Sequence, residues 1–428
     1  MSTSAPEHEK RLIEPGTGKA PSKEPKPAHA SNGGSELHGF GPEPQAADTF
    51  AAPSTAERPD SNPATALPNE TRIVEAGPLH RLDGALAVRG WATSLLRSYD
   101  RTRIKAPRHR IKEWDYYLVN DDEYAVALTL SDLGYVGLVS ASIMDLVQGV
   151  SHTVSVVTPL PLGRFGLPAS SDSGVSSFQN GRASFRFEAS RGRRSLKAHV
   201  ARFDGKDDLS FEAVLEDEPR DSLVIATPWS EDQSAFYYNQ KIVAMRARGS
   251  FKKGVLVHGF NPQNSFGLLD WGRGVWTRDN TWYWAAAQGW QGPRDESGRG
   301  SRRFGLNLGY GFGDTTAASE NMAFVDGIAH KLHRVSFGIP EKPGAAHAKK
   351  LGDRYDLMQP WRITDDEGRL DLAFRPLLDR SDWMDYKLVR TDQHQVFGTY
   401  DGTVVLDGHQ PFAVTNLLGF AEVVHNVY

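Results

Sequence analysis

The stretch Ala183-Ser-Phe-Arg-Phe-Glu188, followed by Leu196-Lys-Ala-His-Val-Ala-Arg-Phe203, decides the fold class. In extended chain successive side chains point to opposite faces, so Phe185 and Phe187 share one face while Ser184 and Arg186 share the other, the pattern of a half-buried strand. Tyr124-Ala-Val-Ala-Leu-Thr-Leu130 and Leu370-Asp-Leu-Ala-Phe374 repeat the texture. The turn pairs Asn180-Gly181, Asp204-Gly205 and Asp401-Gly402 supply the punctuation of antiparallel hairpins. Helical periodicity is scarce; Ser94 to Tyr99 is at most a turn or two. The body is therefore expected to be all-β.

Working outward, the texture holds from Asn69 to the C-terminus and fails before it. The first 68 residues contain 11 of the 25 prolines and only Phe40 and Phe50 as aromatics. Such a segment buries too little apolar surface to offset a chain entropy of about 1–2 kcal/mol per residue, so residues 1–68 are expected to be a disordered, proline-rich tail. The remaining body of about 360 residues exceeds one small barrel and suits two β-domains side by side. The expected division is 69–235 and 236–428, with the seam between Glu216-Asp-Glu-Pro219 and Arg248-Gly-Ser250.

Composition narrows the function. The chain of 428 residues has 49 Lys+Arg against 53 Asp+Glu, a formal charge of -4, and no cysteine. Without cysteine there is no disulfide framework, thiolate zinc site, iron-sulfur cluster or cysteine nucleophile. Near-neutral charge argues against a nucleic-acid binder or a binder of anionic membranes. There is no signal-peptide pattern and no apolar run long enough to span a bilayer, and a soluble, cytoplasmic protein is expected.

The most distinctive chemistry lies in Phe266-Gly-Leu-Leu-Asp-Trp-Gly-Arg-Gly-Val-Trp276 and Thr281-Trp-Tyr-Trp-Ala285. Apolar surroundings raise a carboxyl pKa, so Asp270 among Trp271, Trp276, Trp282 and Trp284 could act as a general acid, with Arg273 and Tyr283 beside it. The plainer alternative is that the aromatics fill a core and Asp270 pairs with Arg273. His258, on Val255-Leu-Val-His-Gly259, is a candidate proton partner. A second cluster, Arg110-Ile-Lys-Glu-Trp-Asp-Tyr-Tyr-Leu118, places Glu113, Asp115 and Tyr117 on one strand face and Trp114, Tyr116 and Leu118 on the other; its members could position a ligand or form a solvated edge. Alternate glycines in Asn307-Leu-Gly-Tyr-Gly-Phe-Gly-Asp314 leave room for bulky neighbours. Gly249-Ser-Phe-Lys-Lys-Gly254 lacks the residues that complete a phosphate loop, and His330-Lys-Leu-His333 faces its imidazoles apart on a strand, so neither a nucleotide nor a metal site is expected.

The order Gly90-Trp91, Tyr99-Asp-Arg101, Arg110-Ile-Lys-Glu-Trp-Asp-Tyr-Tyr117, Asp270-Trp-Gly-Arg-Gly-Val-Trp276, Trp282-Tyr-Trp284, Phe324-Val-Asp-Gly327 and Gly419-Phe-Ala-Glu422 resembles an uncharacterised bacterial and fungal family, domain of unknown function 2804, from about residue 70 onward. More distantly, Asp-Trp-Gly followed by Trp-Tyr-Trp is similar to the AttH-like and carotenoid 1,2-hydratase (hydroxyneurosporene synthase) proteins. That resemblance implies two consecutive lipocalin-like antiparallel β-barrels. It implies cofactor-independent hydration, cyclisation or isomerisation of a hydrophobic, lipid- or isoprenoid-like small molecule, a lyase or isomerase without metal. Where the relatives carry His-Asn before Trp-Gly this chain has Leu269-Asp270. Two alternatives stay open: a non-catalytic carrier of a lipid-like ligand, and a sugar-binding β-sandwich with Trp platforms.

Overall fold

The computed structural model describes residues 70–427 except 233, 297–299 and 386–388. The expected tail over residues 1–68 lies outside the described residues. The described body is nearly all-β, with two large sheets, each curled into a half-barrel, and a small parallel pair of Gly77–Pro78 with Arg97–Ser98. Among the described residues the one α-helix is the single turn Leu351–Arg354.

Among the described residues the first large sheet has 13 strands and the second 9, and every pairing within them is antiparallel, as the period-two sequence pattern and short turns dictate. Ala183–Ser190 pairs with Arg193–Val200 in the expected hairpin, with Phe185 and Phe187 buried and Ser184 and Arg186 exposed. The far strands of the first sheet curl back over its middle, so that Phe187 meets Tyr117 edge-on at 5.1 Å. The Phe236–Lys253 strand opens on the expected domain boundary, and it and Phe266–Val275 both pair within the first sheet. The chain passes to the second sheet between Val275 and Asp279.

Strand parity sorts the middle of the first sheet. Ile111–Asn120, Phe266–Val275 and Phe236–Lys253 are neighbours, with Trp114 opposite Gly272, Tyr116 opposite Asp270 and Asp270 opposite Lys241. Those residues, with Leu118 and Asn120, share the face turned to the second sheet. Trp284, Ala286, Gln288 and Trp290 of Asp279–Arg294, and Leu418, Phe420 and Glu422 of Pro411–Val427, share the opposing face. Contacts confirm the arrangement: Tyr116 meets Trp284 at 5.8 Å, and Gln288 Nε2 donates to Asn120 Oδ1 at 2.9 Å. Odd-numbered neighbours such as Ala285, Leu417 and Val423 instead fill the interior of the second half-barrel.

The sheets are also locked by a bulge. Register shifts between Ile242 and Met245, where Ala244 takes a φ of 61°, and its freed N–H donates to Gln288 Oε1 at 2.8 Å. A bulge ejects a backbone donor from the ladder, and here the other sheet accepts it.

Candidate functional site

Asp270 is buried between the sheets. Lys241 Nζ lies 2.9 Å from its Oδ1, Asn239 Nδ2 donates to the same oxygen at 2.6 Å, and Trp114 Nε1 donates to Oδ2 at 3.1 Å. The plainer alternative from sequence, an Asp270–Arg273 pair, is overturned: an odd spacing of three residues along the strand turns Arg273 to the opposite face, where it bonds Asp115 at 3.1 Å. Gly272 is what lets Trp114 reach Asp270. A Cβ at that position would sit 2.0 Å from Trp114 Cζ2, so the indole lies flat over bare backbone.

The wall is aromatic. Lys241 Nζ stands 4.0 Å from the centre of the Trp284 ring, Trp276 packs edge-on against Trp114 at 5.8 Å and Trp282 at 5.0 Å, and Phe312 stacks on Tyr237 at 5.0 Å. Cation-π attraction of Lys241 to Trp284 adds to the charge pairing.

The strand Pro411–Val427 and the loop before Met322 add two further carboxyl groups to this cluster. Glu422 accepts from Trp282 Nε1 at 3.1 Å and from Gln395 Nε2 at 3.0 Å. Burial nevertheless pushes its pKa up from 4.5 to about 7, against the opposing effect of the Trp282 bond and of Lys241. Glu320 is held in place by its backbone carbonyl, which accepts from Asn307 Nδ2 at 2.8 Å, and by Gly309, whose missing Cβ leaves room for its carboxyl. Burial raises it likewise to about 7; Lys241 pulls the other way and Asp270 adds to the rise. Tyr237 lies near enough for its phenol to be pushed well up, first by burial and then by Glu320. Yet Tyr237 Oη, Tyr116 Oη, Asn239 Oδ1, Trp276 Nε1 and both carboxyl oxygens of Glu320 make no hydrogen bond of good geometry among the described residues, although all are buried. Buried polar atoms are ordinarily paired, and several that are not gather around this cluster.

Of the residues singled out from sequence, Asp270, Trp114, Trp276, Trp282 and Trp284 come together here. Trp271, Arg273, Glu113, Asp115 and Tyr117 do not, because their parity turns them into the curl of the first sheet. There Arg273 stacks on Trp271 at 4.2 Å, Ser176 donates to Asp115, and Tyr99 Oη donates to Glu113 at 2.8 Å. Glu113 and Asp115 are therefore not a solvated edge but members of a filled, bonded core. Tyr283 faces the second half-barrel, stacked on Tyr310 at 4.4 Å. His258 partners Asp121 at 2.7 Å rather than Asp270, and lines a separate cleft.

Lys241, Asn239, Tyr237, Glu320 and Glu422 were not singled out as site residues from sequence. Two carry a local signal: Lys241 interrupts Phe236-Tyr-Tyr-Asn-Gln-Lys-Ile-Val-Ala-Met245, and Glu422 interrupts Phe420-Ala-Glu-Val-Val424. A charge inside an otherwise apolar strand must be buried with a partner or flipped outward. Glu320 lies in a loop, and nothing local marks it.

A family model for a domain of unknown function, DUF2804, matches residues 70–428, and the chain belongs to that family. Among solved structures it is similar to a protein assigned as AttH from Nitrosomonas europaea, at 11% identity, covering 73% of this chain and 92% of that one with a TM-score of 0.45. It is also similar to kievitone hydratase from Nectria haematococca, at 12% identity, covering 82% and 98% with a TM-score of 0.40. No curated protein matches it in sequence. No described helix is long and apolar enough to cross a membrane.

Proposed function

We propose that the space between the sheets around Asp270 is a proton-transfer site for a hydrophobic small molecule, in which the chain's own acids carry out hydration, cyclisation or isomerisation. The observation that carries this is the pairing of two wholly buried carboxyl groups, Glu320 and Glu422, both held near neutrality, with a fixed Asp270–Lys241 charge pair inside a tryptophan wall. A general acid works best with a pKa near the working pH, and burial supplies that here.

In the reaction this supports, a carboxylic acid gives its proton to one carbon of a C=C bond, leaving a carboxylate and a carbocation on the neighbouring carbon. The indole faces of Trp276, Trp282 and Trp284 stabilise that cation. Loss of an adjacent proton back to the carboxylate completes an isomerisation; capture by water, with its proton returned to the carboxylate, completes a hydration. Asp270 is the fixed counter-charge, and Lys241 and Trp114 orient it.

The test begins with native mass spectrometry of the protein purified from its host, to identify a co-purifying small molecule. Conversion of that molecule by wild type, with loss in Glu422→Gln or Glu320→Gln, is the expected result. Binding without conversion in wild type would instead make the protein a carrier.

A further inference from the structure

A cleft of about 540 Å³ opens at the end of the sheet interface remote from Trp276. We propose that it is the mouth of the site described above and holds the neutral, hydroxyl-bearing head of an amphiphile, whose apolar tail runs between the sheets toward Asp270. This rests on taking the Asp270 cluster as the reactive end.

Strand parity supplies the route. On Ile111–Asn120 the inter-sheet row reads Tyr116, Leu118, Asn120; on Phe266–Val275 it reads Asp270, Leu268, Phe266. Across from them it reads Trp284, Ala286, Gln288 and Glu422, Phe420, Leu418. Asn120, Phe266, Gln288 and Leu418 line the cleft. Leu118, Leu268, Ala286 and Phe420 surround a small void directly beneath it, of about 10 Å³. Tyr116, Asp270, Trp284 and Glu422 form the acid cluster. The steps are two residues each, so the cleft and the acids are separated by four residues of strand, about 13 Å. All four middle residues are apolar, the lining for a tail and not for a second polar group.

The head is specified by the cleft. Among the described residues its lining contains carboxylates and amides but neither Lys nor Arg, a charge balance that favours a neutral head over an anionic one. Asp121 is already engaged by His258 and by the N–H groups of Glu123 and Tyr124. The side-chain amides of Gln263, Asn264 and Asn416 have no partner among the described residues. An amide offers donor and acceptor together, which suits adjacent hydroxyl groups. Trp290, half-buried, donates its N–H to the Gln263 carbonyl at 2.6 Å, which fixes the indole in the wall. The Gln288–Asn120 bond closes the floor, and the void below is smaller than one water requires, so Leu118 and Leu418 must shift to admit a tail.

Titration calorimetry on the full chain tests this with octyl β-glucoside below its micelle concentration, methyl β-glucoside and octanoate. Octyl glucoside should bind at least about tenfold tighter than methyl glucoside, since every methylene of the tail taken out of water adds to affinity. Trp290→Ala should weaken both glucosides, and Leu418→Trp, at the top of the throat, should reduce octyl glucoside to the methyl glucoside level. If Leu418→Trp fails to fold, Ala286→Leu, deeper in the throat, gives the same readout. Octanoate binding as tightly as octyl glucoside, or a folded throat variant that leaves octyl glucoside binding intact, would overturn the proposal. Loss of turnover of the co-purifying molecule in Glu422→Gln reports on the acids, whereas octyl glucoside affinity in a throat variant reports on the route, so the two readings fail separately.

Discussion

Asp270 and Lys241 stand directly opposite each other on adjacent strands, 2.9 Å apart, sealed between two sheets with the lysine over the face of Trp284. Taking both ions out of water is costly, and each makes the other tolerable. Removing one charge strands its partner. Lys241→Met is expected to destabilise the fold by about 3–5 kcal/mol, and the double variant Lys241→Met with Asp270→Leu by clearly less. Urea unfolding of the three proteins measures both, and equal costs for single and double variants would refute the coupling.

Glu320 and Glu422 set the alkaline side of the stability profile. Each has a folded pKa of about 7 against 4.5 ordinarily, so the folded state holds protons that the unfolded chain releases. Stability contributed by these groups is complete below pH 4.5 and is lost as pH rises through 7, on the order of 3 kcal/mol for each. Unfolding free energy measured from pH 5 to 8 should fall less steeply in Glu422→Gln than in wild type. Parallel slopes would show that Glu422 is ionised in the folded protein across that range.

His80 acts on the acid side. Its ring is buried edge-on against Phe236 at 4.5 Å, neither nitrogen has a hydrogen-bond partner among the described residues, and burial lowers its pKa from 6.5 to about 4. The neutral ring suits the fold, so protonation favours the unfolded chain as pH drops from 6.5 toward 4. His80→Phe should move the acid unfolding midpoint to lower pH, read by circular dichroism. A midpoint unchanged or raised would contradict the buried neutral ring.

Gly272 holds the indole of Trp114 against Asp270. In Gly272→Ala the added carbon would meet that ring at 2.0 Å, so the ring must leave and the bond to Asp270 with it. Overpacking of this kind costs typically about 1–3 kcal/mol. A lower melting temperature with an altered near-ultraviolet circular dichroism spectrum is expected; a variant with the wild-type spectrum would mean that Trp114 does not depend on the glycine.

Much of the site was legible because parity is a property of the chain. Trp114 and Asp270 could be assigned faces from their own strands, and Gly309 could be expected to make room for something large. The errors have one physical origin. Clustering Trp271 and Arg273 with Asp270 treated nearness in sequence as nearness in space, whereas neighbours on a strand point apart. His258 was placed with Asp270 on separation alone, and the hairpin Phe236–Lys253 with Leu256–Phe260 carries it to Asp121 instead.

What the sequence by itself determined is the strand character of the body, the two faces of each strand and the turns at Asn180-Gly181 and Asp204-Gly205, because period-two alternation and such turns are local; the expected turn Asp401-Gly402 instead lies inside the strand Arg390–Val405, where a bulge falls at this pair. Only the tertiary structure decided which faces meet. The bulge at Ala244, the Gln288 clamp and the passage from one sheet to the other at 276–278 bring Glu320 and Glu422 opposite Lys241 from 79 and 181 residues away along the chain. Their raised pKa values follow from that burial, and burial between two sheets is a property of no single strand.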